Sequence, residues 1–308
     1  MQIYLPIADL PVNIFLILGM GLAVGFISGM FGIGGGFLMT PLLIFIGIPP
    51  AVAVASVTSH IAASSCSGAM TYWRRNAIDT SLALMLLAGG ILGTAAGVWL
   101  FTFLRKVDQL DLLIGLSYVT LLTVVGGLMV NESLRAILRA RGGTPVPLRR
   151  AGSHAWFLGL PLKMRFKHSR IYVSIIPVLA IGGSIGFIGA ILGIGGGFLL
   201  VPMLIYFLRV PTATVIGTSM VLTLVTMASA TIMHAATNHL VDAVLALILM
   251  VGGTIGAQFG TRAGQKLSPE RLRFMLGLLV LAVGLRFAYS LVIEPEDLFS
   301  IRAVGLGL

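Results

Sequence analysis

Acidic side chains are scarce: ten Asp and Glu in 308 residues, against twenty Lys and Arg. Charged residues of every kind make up only 10%, too few to solvate the surface of an ordinary soluble domain. Cysteine occurs once, as Cys66, which excludes an intrachain disulfide and argues against a cysteine-based metal cage. No Asp or Glu stands at the centre of an apolar run, so the carboxylates used by cation carriers and proton relays are missing. No P-loop, metal-ligand spacing or nucleophile–base pair occurs. Neither ATP hydrolysis, a bound cofactor, a metal site nor an enzymatic reaction has residues to carry it.

What fills the chain is apolar sequence: 57% hydrophobic residues and a mean hydropathy of +1.05. Its runs are each about long enough to cross a ~30 Å hydrocarbon core, so the expectation is an all-α, multi-pass membrane protein. The 39 glycines fit, because small residues let helices approach where lipid supplies no hydrophobic drive. The opening Met1-Gln-Ile-Tyr-Leu-Pro6 has no cationic stretch, so a cleaved signal peptide is not expected. Nine basic residues fall between Arg135 and Arg170, and others in short connections such as Arg74-Arg75. That is a positive-inside pattern rather than a nucleic-acid footprint.

One stretch occurs twice. Gly25–Pro41 and Gly186–Pro202 are identical at eleven of seventeen positions at an offset of 161, both containing Gly-Ile-Gly-Gly-Gly-Phe-Leu. Past Trp73 the offset becomes 163, matching Asp79 to Asp242. The duplication divides the chain into a first transmembrane repeat (11–130), a basic cytoplasmic or interfacial connector (131–170), a second repeat (171–292) and a short tail (293–308). Each repeat reads as five segments: about 11–31, 37–48, 50–73, 80–104 and 111–130, then 172–192, 198–208, 211–235, 242–264 and 271–292. The dozen residues of 37–48 reach only ~18 Å as helix, so this segment and 198–208 either cross awkwardly or re-enter. That gives about 8–10 crossings. Residues 156–167, apolar and basic in turn, read as lying on the cytoplasmic lipid surface or as a solvated connector.

A cytoplasmic connector puts Arg74-Arg75, Arg209, Arg262, Lys266, Arg271 and Arg273 inside, and the N-terminus, Glu294, Glu296 and Asp297 outside. Arg105-Lys106 is the exception, offset by Asp108 and Asp111. An odd number of segments per half implies two inverted-topology repeats.

Four glycines in five positions break a helix, and unwound backbone at membrane depth survives only where protein buries it or water reaches it. Phe37 and Phe198 then open new short helices, whose first amides lack intrahelical partners and sit at the positive end of the helix dipole. Gly34, Gly35, Gly36 and Phe37, with Gly195, Gly196, Gly197 and Phe198, are therefore candidate binders of a small anion. The competing explanation is that these glycines only permit close packing. A dinucleotide fingerprint is excluded by the missing strand, third spaced glycine and acidic residue. Hydroxyls at Ser56, Thr58, Thr218 and Ser219 are further candidates for anion contact, or for interhelical bonding. His60, titratable near mid-span, is a candidate for proton coupling; the aligned residue is Val221. Cys66 reads as a packing residue, Gln258 as helix glue, and Arg286 as a cation reaching for the membrane interface.

At Gly32-Ile-Gly-Gly-Gly-Phe-Leu followed by Pro41, and Gly193-Ile-Gly-Gly-Gly-Phe-Leu followed by Pro202, the chain resembles the TauE/SafE family of sulfite and organosulfonate permeases. Gly217-Thr-Ser219 fits the family too; Ser56-Val57 departs from it. The resemblance spans roughly 19–104 and 182–291. It implies a secondary transporter of a small sulfur-containing anion, such as sulfite or an organosulfonate, exporting it across a bacterial inner membrane. Its partners would be the anion, the bilayer and, if coupled, a proton, with no nucleic acid. The anion, the coupling ion and the oligomeric state stay open, as do two alternatives: a passive anion channel, and a non-transporting membrane subunit whose basic connector docks a cytoplasmic partner.

Overall fold

A computed structural model describes residues 2–31, 35–74, 76, 78–141, 161–166, 171–206, 212–264 and 269–292. The first half runs β1 (Gln2–Leu5), β2 (Leu10–Asn13), α1 (Ile14–Phe31), α2 (Gly36–Phe45), α3 (Pro50–Arg74), α4 (Thr80–Lys106) and α5 (Leu110–Arg141). The second runs β3 (Lys163–Phe166), β4 (Ile171–Ser174), α6 (Ile175–Leu192), α7 (Gly197–Tyr206) and α8 (Thr212–Met233). A π-helical turn (His234–Asn238), α9 (Ala243–Gly264) and α10 (Pro269–Val292) complete it. Among the described residues, five helices are long and apolar enough to cross a membrane: α4, α5, α6, α8 with its π turn, and α9.

The duplication reaches further back than the glycine motif. Each half opens with an antiparallel two-stranded hairpin, β1–β2 and β3–β4, at the same offset of 161. Both hairpins bury an apolar residue at equivalent positions, Leu5 and Phe166. Both deliver a polar residue that caps the next helix: Asn13 Oδ1 accepts from Phe15 N at 3.0 Å, and Ser174 Oγ from Ile176 N at 3.3 Å. Of the stretch read as lying on the lipid surface or as a solvated connector, the described part is a bend at Pro161 and Leu162 followed by the strand Lys163–Phe166, and 156–160 and 167 lie outside the described residues. At the other end of the connector, α5 continues past Val130 to Arg141.

Glycine faces pair the long helices. Gly25 and Gly29 of α1 lie against the backbone of Gly253 and Ala257 in α9, while Gly89, Gly93 and Gly97 of α4 lie against Leu179, Gly183 and Phe187 in α6. In each pair the numbers rise together, so the helices are parallel, and α1 on α9 repeats α6 on α4. Equivalent helices pair the other way. Thr231 Oγ1 donates to Thr58 Oγ1 at 2.8 Å while Gly68 packs on Met220, so α3 and α8 are antiparallel. Gly284 packs on Leu122, Gly126 on Leu281 and Gly277 on Met129, so α5 and α10 are antiparallel as well.

The short helices return rather than cross. Ile7 N donates to Asp242 Oδ2 and Asp242 N donates to Ser56 Oγ, both at 3.0 Å. The hairpin that leads into α1 and the first turns of α3 thus meet at the same end of the bundle. Between them α1 (18 residues) runs out ~27 Å and α2 (10 residues) brings the chain back ~15 Å. In the second half Asp79 N donates to Thr218 Oγ1 at 3.3 Å, and α6, parallel to α4, leaves from that same end. The described part of each glycine break therefore sits at the blind end of a helical hairpin, inside the bundle.

Candidate functional site

The two breaks meet beside Ile61, near the midpoint of α3. A Cβ on Gly36 would lie close to the Ile61 side chain, and one on Gly195 would lie 2.8 Å from Ile61 Cγ2. The first residues of the two short helices face each other: the Phe37 and Phe198 rings stack 4.4 Å apart at 12°, both buried. The local backbone explains the glycines. Gly35 (φ 67°) precedes α2, and Gly195 (φ 74°) lies in the unwound link before α7. Both occupy the left-handed region that side chains disfavour. Gly36, Gly196 and Gly197 complete the buried described part of the breaks, and Gly34 lies outside the described residues.

The second break is anchored through its carbonyls. Tyr118 OH donates to Leu192 O, and Thr40 Oγ1 donates to Gly193 O at 3.3 Å. The oxygens of Gly193 and Ile194 lie 2.6 and 2.8 Å from where a Cβ on Gly36 would stand. Peptide carbonyls of one half therefore press on the helix start of the other. The aligned counterparts of Thr40 and Tyr118 are Val201 and Leu281, so this anchoring is one-sided.

The four hydroxyls singled out in the sequence are all buried and all bonded. Ser56 Oγ accepts from the Asp242 amide and Thr218 Oγ1 from the Asp79 amide. Thr58 Oγ1 donates to Ala55 O at 2.6 Å and accepts from Thr231, and Ser219 Oγ donates to Ile216 O at 2.8 Å. Asp79 and Asp242, both buried, cap α4 and α9: Asp79 Oδ1 accepts from Leu82 N at 3.1 Å, and Asp242 Oδ1 from Val244 N and Leu245 N at 3.1 Å each. Ser56 and Thr218 thus seat the starts of α9 and α4. The sequence carried a signal for this in the paired acids at offset 163, each just ahead of an apolar run.

His60 is fully buried on the α9 side of α3, its ring against Gly253. Nδ1 lies 2.7 Å from Leu249 O. A carbonyl only accepts, so Nδ1 carries a hydrogen, and in the neutral ring Nε2 then keeps its lone pair. Nε2 has no partner among the described residues. A second buried histidine, His234 in the π turn, was not singled out by sequence. Both its nitrogens are engaged, Nε2 with Ala190 O at 3.1 Å and Nδ1 with Asn238 Nδ2 at 3.2 Å, and Phe101 packs edge-on against the ring. That is a packed, satisfied histidine. Two more residues missed by sequence, Ser65 and Thr223, bury hydroxyls without a partner among the described residues; only the folded structure marks them. Cys66 and Gln258 are exposed, and Arg286 lies over the rings of Phe45 and Tyr289.

The profile of the sulfite exporter TauE/SafE family matches residues 17–287. A probable membrane transporter protein of Xylella fastidiosa (strain 9a5c) is 31% identical over 283 residues, covering 89% of this chain and 94% of that one. The probable membrane transporter protein YjnA of Bacillus subtilis (strain 168) is 27% identical over 270 residues, 87% of this chain and 96% of that one. Sulfite exporter TauE/SafE family protein 3 of Arabidopsis thaliana is 35% identical over a shorter stretch of 78 residues, 25% of this chain and 16% of that one. No solved structure matches the chain.

Proposed function

The chain belongs to the sulfite exporter TauE/SafE family, and on that footing we propose that it is a secondary transporter moving a small sulfur-containing anion outward across a bacterial inner membrane. Sulfite or an organosulfonate is the substrate class. The observation that carries this reading is the meeting of two helix starts inside the bundle, with Phe37 stacked on Phe198. Helix starts of this kind present free amides and a partial positive charge. Gly34–Phe37 and Gly195–Phe198 are the candidate segments from which the binding site is drawn. The bonds made by Ser56, Thr58, Thr218 and Ser219 favour a supporting role for those hydroxyls, holding helices around the site.

Alternating access follows from the architecture as a proposal. The antiparallel pairing of α3 with α8 and of α5 with α10 supports two halves inverted in the membrane, with the site between them. Ile61, lying over both breaks, is the side chain that must yield when the site opens. The basic connector lies in the cytoplasm by the positive-inside rule. His60 is the proton-coupling group: its tautomer leaves an acceptor on Nε2, buried and waiting for a proton.

The test is sulfite flux in proteoliposomes with and without a pH gradient, for wild type and His60→Asn. Expected are saturable, gradient-dependent flux in wild type, and in the folded variant flux that no longer responds to the gradient. Flux at the empty-liposome level for sulfite and for a panel of organosulfonates would overturn the transport reading. An unchanged gradient response in His60→Asn would remove His60 from it.

A further inference from the structure

Serine and threonine in a helix ordinarily bond back to a carbonyl three or four residues earlier. Ser59, Ser64, Thr71, Thr94 and Thr226 all do so here. Ser65 and Thr223 depart from that habit. Both are buried, at 0% and 1% exposure, and Ser65 Oγ and Thr223 Oγ1 have no hydrogen-bond partner among the described residues. A buried hydroxyl left in this condition calls for an explanation.

Their placement supplies one. Thr223 Oγ1 lies 3.3 Å from where a Cβ on Gly196 would stand, and the Thr223 methyl lies 3.6 Å from the corresponding point on Gly195. The hydroxyl is therefore aimed into the second break, immediately before α7. On α3, Thr58, Ile61 and Gly68 all face α8 or that break, and Ser65 falls on the same helical face between Ile61 and Gly68. Because α3 and α8 run antiparallel, Ser65 reaches the level of Thr223 on the opposite side of their seam. The first break lacks this equipment. The residue aligned with Thr223 is Ala62, and Thr226, aligned with Ser65, spends its hydroxyl on Leu222 O. The start of α2 is also already occupied, since the carbonyl oxygens of Gly193 and Ile194 crowd Gly36 and would repel an anion.

We infer that Thr223 and Ser65 are ligand donors completing an oxyanion site on the amides that open α7, and that the second break, rather than the first, holds the ligand. This rests on the transport reading above and assigns its site. The shell consists of peptide N–H and hydroxyl donors, while the neighbouring carbonyls of Leu192 and Gly193 already accept from Tyr118 and Thr40. Such a shell suits a headgroup that offers acceptor oxygens and no acidic hydrogen, as sulfite dianion and –SO3⁻ groups do.

The experiment measures the concentration dependence of sulfite and methanesulfonate flux in proteoliposomes for wild type, Thr223→Val, Thr223→Ser, Ser65→Ala and Thr226→Val. Thr223→Val keeps the shape and removes the hydroxyl. Thr226→Val removes one that only bonds back. The expected result is a KM raised about tenfold by Thr223→Val and by Ser65→Ala, corresponding to about 1.4 kcal/mol of lost binding, with Vmax preserved. Thr223→Ser should restore the wild-type KM and Thr226→Val should leave it unchanged. If Thr223→Val and Ser65→Ala fold and keep the wild-type KM while wild type transports, the assignment falls and the transport reading stands. If Thr223→Val fails to fold, an unchanged KM in Ser65→Ala is enough to overturn it. If wild type carries neither anion above empty liposomes, the transport reading falls and takes this site with it.

Discussion

An alanine at Gly36 would press its methyl group to within 2.6 and 2.8 Å of two backbone oxygens, those of Gly193 and Ile194. Neither oxygen has a flexible side chain to swing aside, so the helix start itself must shift. Gly19 is the opposite case: a helical glycine of α1 with nothing within 4 Å of a built Cβ. Gly36→Ala should therefore destabilise the protein by about 1–3 kcal/mol, the usual cost of overpacking. Gly19→Ala should be neutral or stabilising by up to about 1 kcal/mol through helix propensity. Thermal unfolding in detergent gives both values, and the reverse order would contradict the contact between the two breaks. The sequence pointed to these glycines because their repetition is a local, one-dimensional signal. Ser65 and Thr223 carry no such mark. Whether a helical hydroxyl bonds back or stays free depends on its rotamer and on what packs above it, and both are tertiary facts.

At the scale of elements, helix beginnings organise this fold. Asp242 binds three amides with its carboxylate, those of Ile7, Val244 and Leu245, and passes its own amide to Ser56. One residue thereby caps α9, holds the tip of the β1–β2 hairpin and fixes the entry of α3. Asp242→Ala should cost about 1–3 kcal/mol, combining a lost cap with buried amides left unmatched. Asp242→Asn, which keeps an acceptor oxygen and remains a good cap, should cost less. Equal losses in the two variants, read from unfolding midpoints, would mean that the charge rather than the cap geometry does the holding. The apolar segments were legible because length and hydropathy suffice to define them, and apart from the end of α5 the described helices begin and end within a few residues of the expected bounds. Where α5 was cut short, hydropathy misled: Asn131-Glu-Ser-Leu-Arg-Ala-Ile-Leu-Arg-Ala-Arg141 is polar but rich in good helix formers, so the helix outlasts the apolar run. The hairpins escaped notice for another reason. Four-residue strands have little intrinsic stability, and these are held by buried Leu5 and Phe166 and, for the first hairpin, by Asp242.

For the whole molecule, the duplication makes a stronger statement than either half alone. The pairings α1 with α9 and α6 with α4 are equivalent, while α3 meets its own counterpart α8, and α5 meets α10, in antiparallel fashion. In a membrane, the inverted arrangement we propose would put the two hairpins on opposite surfaces. β1–β2 precedes α1 at the Asp242 end, and β3–β4 precedes α6 at the Asp79 end. Asp9, in the turn of the first hairpin, and Leu162, at the entry to the second, are both exposed. In a background with Cys66→Ser, which removes the only native thiol, Asp9→Cys should react with a membrane-impermeant maleimide added to intact cells. Leu162→Cys should react only after permeabilisation, the outcome expected if the basic connector beside it is cytoplasmic as proposed. Labelling of both positions from one side would refute the inverted arrangement and, with it, a site shared between two halves that exchange roles. Labelling from opposite sides would leave the one-sided features as the interesting remainder. Tyr118, Thr40, Thr223 and His60 have no chemical equivalents at the aligned positions, so a symmetric frame would hold an asymmetric site.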